Sequence, residues 1–240
     1  MSVLKLRLKF SKQGYVKFVG HLDGMRYFQK AIRRAGLPAR YSEGFSPHMI
    51  MSFAAPLGVG LESRGEYMDI ELTEESTLSS AEMKEQLNAV MAEGYAIESV
   101  KELPDTAKNA MSIVAAADYR IFLHPDAVDS WEDFYSSFAS FCEQPSICIT
   151  KTSKKSEREV DIRPLIYQSR LEPTTRSIFL QLSTGSANNL KPDLVLEAFT
   201  KQTGIALPPF SFHVERLEVY GFEDKEMTRW KPLEAFGSDF

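Results

Sequence analysis

Val3-Leu4-Lys5-Leu6-Arg7-Leu8-Lys9-Phe10 alternates apolar and basic residues without a break. A period of two marks a strand with one buried face, because successive side chains of an extended chain point to opposite sides. Leu4, Leu6, Leu8 and Phe10 therefore face a core, while Lys5, Arg7 and Lys9 face away from it. A loop through Gly14 and Gly20 leads to a helix near His21–Ala35. There Leu22, Met25, Phe28, Ile32 and Ala35 recur at helical spacing, and Gly36-Leu37-Pro38 ends the run. A strand around Met49–Ala54 and a turn at Pro56-Leu57-Gly58-Val59-Gly60 follow. Next come a strand over Gly65–Leu72, a helix over Leu78–Ala92 and a strand over Tyr95–Leu103.

The order is β-α-β-β-α-β, and the second half of the chain repeats it. Tyr119–Leu123 reads as a strand and Val128–Cys142 as a helix with Trp131, Phe134, Phe138 and Phe141 inward. Ser146–Thr150 and Arg176–Leu182 are strands, Pro192 opens a helix to Gly204, and Phe212–Tyr220 closes the unit. The expectation is an α+β protein of two tandem ferredoxin-like domains with antiparallel sheets. Residues 1–106 form the first and 112–222 the second, with an insertion at 151–173 whose Ile162–Leu171 portion has room for a further strand. Residues 223–240 read as a C-terminal tail.

Charge is unevenly spread. Residues 1–50 carry ten Lys or Arg against Asp23 and Glu43, a net +8, so the other 190 residues hold −13 of the chain's total of −5. Such asymmetry points to a polyanionic partner, the alternative being a basic segment that pairs with the acidic remainder of the same chain. On the first strand, Lys5, Arg7 and Lys9 offer either a binding face or one side of a charge ladder. The second reading arises because Tyr67, Asp69 and Glu71 point outward from the neighbouring strand. On the first helix, Arg26, Lys30, Arg33 and Arg34 form a basic stripe suited to phosphates, or a solvated face. Arg40-Tyr41-Ser42-Glu43-Gly44-Phe45-Ser46-Pro47-His48 interleaves cations and rings as base-stacking loops do. The RNA-contact candidates are therefore Arg26, Lys30, Arg33, Arg34, Arg40, Tyr41, Phe45 and His48, joined by Lys154, Lys155 and Arg163 of the locally basic insertion.

His21, His48 and Tyr41 are the candidates for acid/base chemistry if the protein cleaves RNA, because imidazole titrates near neutrality. His124 and His213 read as structural. Cys142 and Cys148 read as buried free thiols, and no metal site or cofactor is expected from two cysteines and scattered histidines. No stretch approaches the ~20 apolar residues of a membrane span, and the alternating N-terminus is unlike a signal peptide, which makes the cytoplasm the expected location.

Several motifs together resemble the radical-SAM-linked family of uncharacterised bacterial proteins. They are His21-Leu22-Asp23, Arg33-Arg34-Ala35-Gly36-Leu37-Pro38, Tyr41 to His48, Pro56 to Gly60, Glu66-Tyr67 and Val160-Asp161-Ile162-Arg163-Pro164. The resemblance implies a domain found alone or C-terminal to a radical SAM protein, often encoded near a ribonuclease of the E/G type and ribosomal protein genes. It implies a radical SAM partner and tRNA or rRNA modification as the setting, and it implies no reaction. A radical SAM cluster needs three closely spaced cysteines, so this chain reads as an accessory rather than the radical enzyme. Tandem ferredoxin-like domains are also similar in plan to the CRISPR repeat-processing endoribonucleases, but Phe210–Gly221 lacks their glycine-rich loop. The expected function is thus a non-catalytic RNA-binding accessory protein. The alternatives are a metal-independent endoribonuclease and a protein–protein adaptor for the radical enzyme.

Overall fold

The computed structural model describes residues 3–73, 77–153, 156–186, 188–224, 226 and 228–240. It is mixed α+β, with a large, mostly antiparallel sheet and five α-helices among those residues. The chain groups into two compact units, Met1–Ala115 with Arg216–Phe240, and Ala116–Glu215.

The first unit opens with β1 (Val3–Lys12), a 3-10 turn over Gly14–Phe18 and α1 (His21–Arg34). It continues with β2 (Met51–Phe53), β3 (Glu62–Thr73), α2 (Ser80–Asn88), β4 (Tyr95–Glu102) and the single turn of α3 (Ala110–Ile113). The strand order is β4-β1-β3, with β2 also paired to β3. Leu6, Leu8 and Phe10 are buried against Phe28 and Ile32 of α1 and Met83 and Leu87 of α2, as the alternation requires. Gly36 ends α1 in the left-handed conformation (φ +67°), and Leu37 N donates to Ile32 O, so the last carbonyls of the helix find donors. α2 is shorter than the apolar pattern suggests: a reciprocal cap of Ser79 and Glu82 sets its start at Ser80, and it ends at Asn88. Leu22 departs from its expected inward position and is exposed.

In the second unit come β5 (Val114–Leu123), which starts in the first, and α4 (Trp131–Glu143). The hairpin of β6 (Cys148–Ser153) and β7 (Ser156–Asp161) forms a separate two-stranded sheet. Then follow β8 (Ile166–Glu172), β9 (Ser177–Ser183) and α5 (Pro192–Thr203), with Pro192 in the first turn and Gly204 at the C-cap. β9 lies between β5 and β8, so the Ile162–Leu171 portion of the insertion supplies the strand expected of Ser146–Thr150. The core stacks Phe134, Phe138 and Phe141 around Phe199, with ring centroids 5.1–5.6 Å from it.

β10 (Phe212–Phe222) begins in the second unit and carries the chain back into the first, where β11 (Trp230–Pro232) pairs with it. Gly65 permits the return, since a Cβ there would lie 2.6 Å from Leu217 O and 2.7 Å from Glu218 Cα. Instead of a tail, residues 223–240 provide buried Leu233, the carboxylate of Glu234 and a ring, Phe236, to the first unit.

Those residues decide the fate of the basic face of β1. The register pairs Lys5 with Glu71, Arg7 with Asp69 and Lys9 with Tyr67. Arg7 is 0% exposed. Its Nε and Nη2 donate to the two Asp69 oxygens at 2.8 and 2.9 Å, Nη1 to Leu233 O at 3.1 Å and Nη2 also to Lys108 O at 3.2 Å. Lys9 Nζ donates to Glu218 at 2.7 Å and Glu234 at 2.9 Å. Tyr67 OH donates to Glu218 at 2.6 Å, and Ser99 Oγ to Glu234 at 2.7 Å. At Arg7 and Lys9 the face is an internal charge ladder and not an open binding surface, while Lys5 stays partly exposed and donates to Asp105 O at 3.0 Å.

Removing one side of a buried pair strands the other, so Arg7→Ala is expected to cost about 3–5 kcal/mol in urea unfolding. The double variant Arg7→Met/Asp69→Leu, which removes both charges, is expected to cost much less. The ladder also sets a pH window. Burial alone would raise Glu234, but the Lys9 and Ser99 hydrogen bonds outweigh it and hold the carboxyl below its ordinary 4.5. For Lys9, burial pulls downward, and the bonds to Glu218 and Glu234 win and carry it above 10.5. A lowered carboxyl contributes stability above its unfolded value and loses it as pH falls through the folded one. A raised lysine contributes below its unfolded value and loses it as pH rises through the folded one. Urea midpoints should therefore fall below about pH 4.5 and above about pH 10.5, and Glu234→Gln should flatten the acid limb.

Candidate functional site

With the β1 face filled, the open cations of the first unit lie on α1. Its inner side is set by Phe28, Ala31 and Ile32, which forces Arg26, Lys30, Arg33 and Arg34 outward. Arg26 reaches Asp23 at 3.4 Å, with both side chains largely in solvent. Lys30 has no acidic partner among the described residues. Arg33 Nε donates to Tyr41 OH at 3.1 Å, and Arg34 Nη2 to Val90 O at 3.1 Å while lying 5.8 Å from the Tyr27 ring centre. Both arginines also sit in the last helical turn, where the helix dipole favours positive charge. Lys30, Arg33 and Arg34 thus present three charges that no carboxylate among the described residues neutralises.

The Tyr41–His48 loop is closed at its base. Tyr41 and Met49 form an antiparallel bridge, and Ser42 N donates to His48 O at 2.8 Å. His48 N donates to Ser42 Oγ at 3.1 Å, and Ser42 Oγ lies 2.8 Å from His48 Nδ1. Gly44, at φ +108°, turns the tip, where Phe45 is fully exposed. A short loop pinned at its neck thereby holds an aromatic ring out in water, close in the fold to Arg33 through Tyr41. Burying that ring on a base would recover apolar area that the free protein leaves wet.

Other candidates are used differently. Arg40 Nη1 is paired to Glu71 at 2.8 Å, which spends its charge inside the unit. Arg163 Nη1 donates to Ile166 O at 2.9 Å and serves the turn before β8. Lys154 and Lys155 lie outside the described residues. His48 lines a cavity of about 290 Å³ with Lys5, Asp69, Glu71, Lys108 and Asn109. His21 lines a different cavity, of about 30 Å³, with its ring edge-on to Phe53 at 5.4 Å. The structure does not gather His21, His48 and Tyr41 into one acid/base site, and the Tyr41 hydroxyl already accepts from Arg33. Among the described residues, no three His, Cys, Asp or Glu side chains cluster as metal ligands. Cys142 is buried, with its thiol pushed up by burial, whereas Cys148 is exposed, contrary to the reading of both as buried. No helix among the described residues is long and apolar enough to cross a membrane.

Tyr15 and Phe18, which no periodicity singled out, are exposed, as are Leu22, expected inward, and Val59 of the Pro56–Gly60 turn. Tyr15-Val16-Lys17-Phe18 sits between Gly14 and Gly20, and its rings around a lysine are the signal that would have drawn notice. Gly60 N donates to Lys17 O at 2.9 Å, which brings the Val59 loop beside this segment.

Arg40 and Lys30 separate structural from free charge. Arg40→Ala, which leaves Glu71 without its cation, should cost up to about 1 kcal/mol in thermal or urea unfolding, because the pair is partly exposed. Lys30→Ala should stay within about 0.5 kcal/mol of the parent.

A search of curated proteins finds no match to this sequence. A family model described as an uncharacterized protein conserved in bacteria (DUF2344) matches residues 5–192, from within β1 to the first residue of α5. With most of its length matched, the chain belongs to this conserved bacterial family, DUF2344.

Proposed function

We propose that this protein is a non-catalytic RNA-binding accessory, and that its first unit holds RNA on the outer side of α1 and the Phe45 loop. One observation carries the reading. Lys30, Arg33 and Arg34 lie exposed, without carboxylate partners among the described residues, beside a pinned loop that displays Tyr41 and Phe45. Phosphates meet the cations, and bases stack on the rings. In each unit the element order, and in the first the strand order β4-β1-β3-β2, support a ferredoxin-like reading. Domains of that type commonly receive RNA on the open sheet face. Here Arg7, Lys9 and the residues over them occupy that face in the first unit, which favours the helical side. The resemblance to radical-SAM-linked proteins supplies the proposed setting, tRNA or rRNA modification with a radical SAM enzyme as partner in the cytoplasm.

The test is binding of a labelled single-stranded RNA across a salt series. Affinity should fall with salt, and the Lys30/Arg33/Arg34→Ala variant should flatten the log–log slope by about 2, since each single-strand phosphate contact contributes about 0.7. Phe45→Ala should weaken binding by about 1–3 kcal/mol with the slope unchanged. Retention indifferent to salt would overturn the phosphate contacts. Cleavage in EDTA that is lost in His21→Ala or His48→Ala would instead establish a nuclease. Capture of the radical enzyme with no RNA retained would establish an adaptor.

A further inference from the structure

At the Lys5 end, the outer face of the first unit's sheet holds the cavity of about 290 Å³. Lys5 stands opposite Glu71, and Ser52 of β2 opposite Asp69, so these four side chains share one face. Leu103, Ala107, Lys108 and Asn109 line the cavity from the segment after β4, and His48 from the foot of the Phe45 loop. Leu6, Ile50, Met51 and Ile70 complete it and, with Leu103, give it an apolar part. Three bonds fasten the segment after β4 to the sheet. Leu103 N donates to Lys5 O at 2.8 Å, Ala110 N to Asp69 Oδ2 at 2.7 Å and Asn109 Nδ2 to Ser52 Oγ at 2.6 Å. The fold itself therefore holds the walls in place, which lowers the cost of filling the space between them.

Two carboxylates line the cavity, and each already has a cation. Asp69 accepts three N–H groups, two from Arg7 and one from Ala110, and Glu71 Oε2 is paired to Arg40. Lys5 Nζ donates to Asp105 O and keeps two further hydrogens. Among the described residues, Lys108 Nζ has no hydrogen-bond partner, and neither ammonium has a carboxylate within ion-pair distance. With Arg7 and Arg40 cancelling the acids, the two lysines leave a positive surplus that favours an anion. Neutral groups are open as well. His48 Nδ1 faces Ser42 Oγ, which leaves Nε2, while Ser52 keeps its hydroxyl hydrogen and Glu71 keeps Oε1.

Size sets the class of ligand. At the ~30 Å³ that liquid water takes per molecule, about 290 Å³ holds on the order of ten non-hydrogen atoms. That matches a purine or pyrimidine base and is too little for a whole nucleotide. An apolar part for the ring, polar groups for its edge and cations for the neighbouring phosphates are what an extruded base needs. We infer that the cavity takes one nucleobase of RNA held on α1 and the Phe45 loop, with Lys5 and Lys108 meeting its flanking phosphates. The inference rests on the RNA reading, and turning a base out costs least in a single strand.

The experiment walks 2-aminopurine through a short single-stranded RNA and reads its emission, and its quenching by acrylamide, with protein at saturation. At one position the emission should rise severalfold as the base leaves its stack, and acrylamide should no longer reach it. Ala107→Trp, which fills the cavity, should abolish that protection. It should also weaken binding about tenfold, one base's worth of contact, with the salt slope unchanged. Lys108→Ala keeps the carbonyl that Arg7 uses and changes an exposed side chain, so it serves as the check if Ala107→Trp unfolds. It should flatten the log–log salt slope by about 0.7. Protection that survives in Ala107→Trp, or a slope unchanged by Lys108→Ala, overturns the inference. Protection lost in Phe45→Ala but kept in Ala107→Trp would assign the base to the loop ring and overturn it too. Salt-dependent binding with no protected position would sink this cavity and spare the α1 surface, whereas no retention of RNA at all would overturn both.

Discussion

The guanidinium of Arg7 is the point on which the first unit depends. It leaves β1 on the face away from the helices, where a cation would ordinarily meet water. Instead it binds Asp69 on β3, the Lys108 carbonyl before α3 and the Leu233 carbonyl near the C-terminus. Three stretches far apart in sequence thus converge on one side chain of β1 that has no contact with solvent. A buried guanidinium is tolerable only when its donors are satisfied, so the site demands that all of these stretches be in place together. That demand is a reason for 216–240 to close over the first unit.

From this constraint follows the division between structural and available charge. Lys9 serves Glu218 and Glu234, Arg40 serves Glu71, and Arg216 serves Glu66. Lys9 and Arg40, with Arg7, thereby remove three of the ten N-terminal cations from the open surface, and Arg216 comes from the far end of the chain to a carboxylate of β3. What remains for a partner is the outer side of α1 around Lys30, Arg33 and Arg34, which have no carboxylate partner among the described residues, and the rings on pinned or glycine-bounded loops. Lys12 is buried as well, its ammonium donating to the Val19 carbonyl.

Much of this was legible in the linear chain, for identifiable reasons. Alternation in Val3–Phe10 placed β1, and apolar spacing with Gly36-Leu37-Pro38 placed α1 and its end. A charge ladder of Lys5, Arg7 and Lys9 with Asp69 and Glu71 was one of two readings of that alternation, and the structure supplied the register, Lys5 opposite Glu71 and Arg7 opposite Asp69. Less legible were the β6–β7 hairpin and the role of β8, because short polar strands carry little periodicity and their partners are chosen by packing. Leu22 fitted the helical pattern and yet points to solvent, since it lies in the first turn of α1, ahead of the buried stretch that begins at Phe28. The Phe45 loop was visible by composition, but its closure by Ser42 and His48 was not.

By itself the sequence determined the local elements and the positive excess of residues 1–50, because periodicity, caps and charge are properties of neighbours along the chain. Only the tertiary structure decided which of those charges are free. Whether a lysine or arginine is solvated depends on carboxylates and carbonyls that arrive from positions as distant as Glu218, Leu233 and Glu234. Coulomb energy and desolvation follow distance in space, and nothing in the spacing of Lys5, Arg7 and Lys9 reveals what folds over them.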